Sequence, residues 1–179
     1  DGEYVVFMDN DIELLDGWLN HLMQTQLTNI DVGVVGGKLI YPDLSHMQSH
    51  KEKSYKIQHA GIKFKQENGY ILPYSYNDGK AYKFNQHETY QTPAITGSLM
   101  MISRQLFSDV GGFDEDFKYE YEAVDLSLRL HTMGYKNIYT SDSAAYHYRH
   151  ATKQSIIEGL IKTQHENNKN IFARKWNKW

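Results

Sequence analysis

The chain has 179 residues with ordinary apolar and charged fractions, enough for a single domain, residues 1–179, with a real core. Its net charge of −3 argues against a broad nucleic-acid surface, and it has no run of the roughly 18 apolar residues that would span a bilayer. It has no cysteine, which excludes disulfides and thiolate metal sites and fits a reducing, cytoplasmic compartment.

The sequence opens at Asp1 and runs straight into a strand-like segment, so it reads as a piece of a longer polypeptide. Residues 4–8 are continuously apolar and rich in β-branched and aromatic types, which predicts a short buried parallel strand. Asp9-Asn10-Asp11 follows at its end, where ligands bind in open α/β sheets. Asp16 is placed to cap a helix over 18–26, with Leu19, Leu22 and Met23 at helical spacing and Trp18 in the core. Residues 32–40 predict a second buried strand, in which Gly36-Gly37 marks a bend or a close backbone approach. A polar loop over 42–57 precedes a short strand at 58–64. Residues 65–91, rich in Tyr, Asn and Gly, predict loops or hairpins.

Another strand is expected over 94–102, broken at Gly97-Ser98, then a short helix over 105–110 ended by Gly111-Gly112. An acidic, aromatic loop spans 114–121. Residues 123–133 are amphipathic, and Gly134 suits the position after the helix. Short strands over 137–140 and 144–148 and a helix from 155 complete the chain, which ends on the basic, aromatic Lys175-Trp176-Asn177-Lys178-Trp179. There is neither an internal repeat nor a linker.

The chemistry starts at Asp9 and Asp11. Two carboxylates one residue apart, in the turn after a strand, can aim at a hard cation such as Mn²⁺ or Mg²⁺ and at a sugar or ribose. Such a cation bridges the phosphates of a pyrophosphate and stabilises the charge of a departing diphosphate. Plain surface turns also contain this triplet. Its place behind an apolar strand is what marks it as a site.

A second segment is more specific. Gly111-Gly112-Phe113-Asp114-Glu115, then the acidic loop, then Val124-Asp125-Leu126-Ser127-Leu128-Arg129-Leu130 and Gly134-Tyr135 resemble the inverting family 2 glycosyltransferases of the GT-A fold. Phe7 to Asp11 with Gly17-Trp18-Leu19 resembles that family's metal motif and following helix. Gln58-His59-Ala60-Gly61 resembles the segment before its variable region, and Thr96-Gly97-Ser98 with Met100 and Ile102 its acceptor-side strand. Tyr146-His147 and Lys175-Trp176 also fit. The likeness covers most of the chain outside about 65–91.

This resemblance implies an α/β fold: a GT-A-like mixed, mostly parallel sheet flanked by helices, lacking the N-terminal nucleotide-binding strands. It implies metal-dependent transfer of a hexose, an N-acetylhexosamine or rhamnose from a nucleoside diphosphate donor to a glycan or lipid-linked acceptor. Asp11 would ligate Mn²⁺ or Mg²⁺ directly. Asp9 would meet the ribose, the sugar or the metal through water. His147 would be a further ligand, with His150 as its weaker substitute. Gly97 and Ser98 would let the donor approach the backbone.

One departure matters. The family carries Glu-Asp where this chain has Glu122-Ala123, and that Asp is the expected general base. An inverting transfer needs a base for the acceptor hydroxyl, and its loss costs about 10²–10⁴-fold. Glu122 and Asp125 flank the gap, with Asp125 on another helix face. The chain is then an engineered inactive form, a natural pseudoenzyme, or an enzyme using Glu122; a crippled transferase is the favoured reading. An inactive glycan-binding module, holding glycan through Tyr, Trp and His side chains, is the alternative. A metal-dependent phosphohydrolase ranks below it, because residues 111–130 have no role there. The opening strand would expose a raw edge open to a partner or to a missing segment completing the sheet. The tail is expected to pack and cap, while also admitting peripheral contact with an anionic membrane.

Overall fold

A computed structural model describes residues 2–42, 55–82, 86–148 and 155–177. The strands are β1 (Tyr4–Met8), β2 (Ile12–Leu14), β3 (Val32–Ile40), β4 (Ile57–His59), β5 (Ile62–Glu67), β6 (Tyr70–Ser75), β7 (Thr89–Gln91), β8 (Leu99–Ser103) and β9 (Lys136–His147). The helices are α1 (Trp18–Thr28), α2 (Arg104–Asp109), α3 (Glu122–Thr132) and α4 (Ser155–Trp176). The main sheet runs β1-β8-β3-β9-β2, with β4 added to β3 and β7 to β9. Helices flank it, giving the mixed α/β architecture expected.

The sheet is not mostly parallel, however. Among the described strands, β3 and β9 make the one parallel pairing, and the other ladders are antiparallel. β1 in particular is an edge strand, antiparallel to β8 and half-buried. Its unbroken apolar run has another cause. Val5 and Phe7 face the core beneath α2 and α3, while Tyr4 and Val6 face the core beneath α1. Coverage of both faces makes a strand apolar throughout, whichever way its neighbour runs.

β3 is buried along its whole length. Its glycines mark close approach: a Cβ on Gly36 would lie 2.2 Å from Ile95 Cγ2, and one on Gly37 2.6 Å from Leu99 Cδ2. The two short strands expected over 137–148 are one strand, β9, of 12 residues. Its register against β3 jumps from Gly37↔Thr140 to Lys38↔Ala144, so Ser141 to Ser143 form the irregularity that resembled a gap. Conversely, the strand expected at 58–64 is two. Gly61, at φ 86°, turns the chain out of the main sheet into a β5–β6 hairpin. Asn68 and Gly69, both at positive φ, close that hairpin.

α3 is the central helix. Leu126 and Leu130 pack on the sheet, and Val124 and Leu128 pack with Phe172 and Trp176 of α4. α1 is not capped by Asp16: the N-cap is Gly17 at φ 77°, with no side-chain cap bond. Among the described residues no helix is long and apolar enough to cross a membrane. Most of the predicted 42–57 loop, together with His150, Lys178 and Trp179, lies outside the described residues.

Candidate metal and transfer site

Three strand ends build the site. The Asp9 N–H donates to the Ser98 carbonyl at 3.3 Å, which anchors the residue after β1 against the start of β8. The Tyr148 N–H donates to the Asp11 carbonyl at 3.0 Å, and Ile12 pairs with His147 across β2 and β9. These ladders carry Asp11 to the end of β9, 136 positions along the chain. His147 Nε2 lies 3.3 Å from Asp9 Oδ2 and 3.2 Å from Asp11 Oδ1. The three ligand atoms lie within 4.8 Å of one another. The His147 side chain is 10% exposed, Asp11 23% and Asp9 46%, so the cluster is rooted in the sheet and opens at Asp9.

Two carboxylate oxygens and an imidazole nitrogen form a donor set that suits Mn²⁺ and also admits Mg²⁺. The arrangement fits such an ion: two acidic oxygens and a ring nitrogen converge on one point. Behind His147 stands Gln58 of β4, 4% exposed. Its Oε1 is 2.5 Å from His147 Nδ1, and its Nε2 donates to the His147 carbonyl at 3.3 Å. Sequence reasoning marked residues 58–61 as a segment without giving Gln58 a role. The contact spans 89 positions and no local pattern announces it. Next to it, His59 is fully buried, and its Nε2 accepts the Gly61 N–H at 3.1 Å. Burial, and then the neighbouring His147, push its imidazole down to about 3.

The opposite wall is the start of α3. A Cβ on Gly97 would lie 3.3 Å from Ala123 Cβ and 3.9 Å from Glu122 Oε1, so the bare Gly97 backbone lets the start of α3 come close and faces both residues. Ser127 Oγ fixes that spacing by donating to the Ala123 carbonyl at 2.8 Å and accepting the Ile95 N–H at 3.2 Å. Ser98 Oγ is 3.2 Å from Thr96 Oγ1. Glu122 Oε2 is buried without a hydrogen-bond partner. Burial raises its carboxyl above the ordinary range, its own backbone N–H pulls it back, and Asp9 and Glu120 push it up again. Asp9 thus belongs electrostatically to both walls.

The site does not include Asp125. Its carboxylate is fully buried and turned away, held by Arg129 Nε and Lys175 Nζ, each at 2.8 Å, and by Trp176 Nε1 at 2.8 Å. Two residues along a helix, it faces α4 while Glu122 faces Gly97. A separate cleft of about 740 Å³ between the β5–β6 hairpin and α4 shares no residue with the metal site. Its Asn177 side chain is already bonded to the Ile71 N–H and the Gly69 carbonyl, so it joins the hairpin to the helix.

No protein-family model matches the chain. The O-antigen biosynthesis protein RfbC of Myxococcus xanthus is 29% identical over 162 residues, covering 86% of this chain and 12% of that protein. The N-acetylglucosaminyl-diphospho-decaprenol L-rhamnosyltransferase of Mycobacterium tuberculosis is 28% identical over 102 residues, covering 55% of this chain and 33% of that protein. The chain therefore spans a third or less of the length of these relatives. Among solved structures, GalNAc-T7 crystallised with UDP, GalNAc and Mn²⁺ matches 82% of the chain and 27% of its own, at a TM-score of 0.56 and 16% identity. The fold is that of a GT-A glycosyltransferase, and the relatives support a glycosyltransferase in general terms.

Proposed function

We propose that the chain is the metal- and acceptor-binding part of an inverting, family 2-type glycosyltransferase. It would move a sugar from a nucleoside diphosphate donor to a glycan or lipid-linked acceptor. The observation that carries this reading is the convergence of Asp9, Asp11 and His147 on one point, with Glu122 facing the Gly97 backbone nearby. Asp9, Asp11 and His147 would hold Mn²⁺ or Mg²⁺, which when bound neutralises the diphosphate as it departs. Gly97 and Ser98 give the donor a wall without side-chain bulk. Glu122 takes the acceptor hydroxyl proton as that oxygen attacks the anomeric carbon, and its raised proton affinity suits that task.

Ala123 makes this a weakened enzyme. Its methyl group stands where a carboxylate would face the Gly97 backbone, and Glu122 alone supplies the base. The outer edge of β1 is where a strand holding the nucleotide would add to the sheet. A reaction on lipid-linked acceptors would run on the cytoplasmic side, next to the membrane.

The test is nucleoside diphosphate release by the full-length protein, with Mn²⁺, a panel of nucleotide sugars and candidate acceptors. Ala123→Asp should raise the rate by about 10²–10⁴-fold. Silence from every donor in that restored form would reject the transferase. Glycan binding independent of metal and nucleotide would favour the inactive binding module instead.

A further inference from the structure

We infer that Gln58 is the positioning residue that fixes the tautomer of His147 and thereby turns a bare Nε2 toward Asp9 and Asp11. The inference extends the metal-site reading, but its first half stands on hydrogen-bond logic alone. The His147 carbonyl can only accept, so the Gln58 amide must present its NH₂ there, at 3.3 Å. That orientation leaves Gln58 Oε1, which can only accept, facing His147 Nδ1 at 2.5 Å. Nδ1 therefore carries a proton. In the neutral ring the lone pair then sits on Nε2, the atom 3.3 Å from Asp9 Oδ2 and 3.2 Å from Asp11 Oδ1.

A flipped amide would set two carbonyl oxygens against each other and the NH₂ against Nδ1. In a pocket where Gln58 is 4% and His147 8% exposed, water cannot relieve such a mismatch. The two contacts also grip the residue by ring and by backbone, which limits both side-chain rotation and strand-end fraying. Gln58 reaches His147 across the end of β3, since β4 and β9 both pair with that strand near Ile40. Groups behind a ligating histidine that accept its second N–H typically govern metal affinity by about 10–100-fold.

Two variants separate a positioning role from simple packing. Gln58→Glu, as the protonated carboxyl, keeps an acceptor for the Nδ1 proton and an O–H donor for the His147 carbonyl, while Gln58→Met keeps the volume and removes both. Ring ¹⁵N shifts of His147 are read without metal, at a pH where imidazole is neutral, and Mn²⁺ affinity is read by calorimetry. We expect the unmodified protein and Gln58→Glu to hold the proton on Nδ1, and Gln58→Met to shift it toward Nε2. Mn²⁺ affinity should fall about 10–100-fold in Gln58→Met and be largely kept in Gln58→Glu. The inference is overturned if Gln58→Met, shown folded by circular dichroism, keeps the Nδ1 proton, or if Gln58→Glu loses as much affinity as Gln58→Met. Should the unmodified protein bind no Mn²⁺ while the tautomer still follows residue 58, the positioning role stands and the metal reading fails.

Discussion

In the proposed mechanism Glu122 serves chemistry at the expense of the fold. A buried carboxylate oxygen without a partner is costly, and burial together with Asp9 and Glu120 makes the carboxyl hold its proton more tightly than usual. A proton held more tightly in the folded chain stabilises it at low pH, and that contribution is lost as pH rises through the elevated folded value. The same shift makes the ionised form a stronger base. Glu122→Gln should therefore lower turnover by about 10²–10⁴-fold while raising the melting temperature near neutral pH. In the unmodified protein the acid limb of kcat/KM against pH should lie above the ordinary carboxylate range, and it should vanish in the variant. A variant with unchanged kcat/KM would remove Glu122 from the chemistry.

At the scale of elements, the question is what holds α3 in place so that Glu122 and Ala123 meet Gly97. The helix is clamped from behind. Asp125 accepts from Trp176 and pairs with Lys175 on α4, and it also holds Arg129, which donates to the carbonyls of Val110 and Gly112 at 2.7 and 2.6 Å. Lys175 also reaches Asp114 at 2.7 Å, so one carboxylate ties α4, α3 and the turn after α2 together. Asn168 of α4, fully buried, donates to the Lys118 and Glu120 carbonyls and accepts the Lys118 N–H. This arrests the acidic loop on its way into α3. Removing one partner of a buried ion pair strands the others, at a cost of about 3–5 kcal/mol. Asp125→Ala should lose roughly that much in urea unfolding, and Asp125→Asn, which still accepts from Trp176, should lose less. A loss below about 1 kcal/mol in Asp125→Ala would show that α3 is held by its apolar contacts alone.

For the whole molecule, the pattern of apolar and polar residues announced most elements, and it failed where a decision depended on distant partners. The register of β9 against β3, the antiparallel pairing of β1 with β8, and the path of Gln58 to His147 are all long-range, and the local sequence carries no mark of them. Asp9, Asp11 and His147 could be named from the chain but brought together only by the fold, and Asp125 left the site because α4 lies behind it.

His59 belongs to that same scale, because its burial depends on the docking of β4 against the distant β3, where it pairs with Leu39. The unfolded chain takes up its proton near 6.5, whereas the folded one resists until about 3. Between those values the unfolded state binds more protons, so acid favours unfolding: stability falls as pH drops below 6.5 and this contribution is exhausted near 3. The window is wide enough to cost up to roughly 5 kcal/mol. His59→Gln keeps an acceptor for the Gly61 N–H and cannot ionise, so its stability between pH 6.5 and 3 should decline with a visibly shallower slope. Urea midpoints measured across that range would decide it, and parallel curves for the two proteins would mean that His59 does not set the acid limit of the fold.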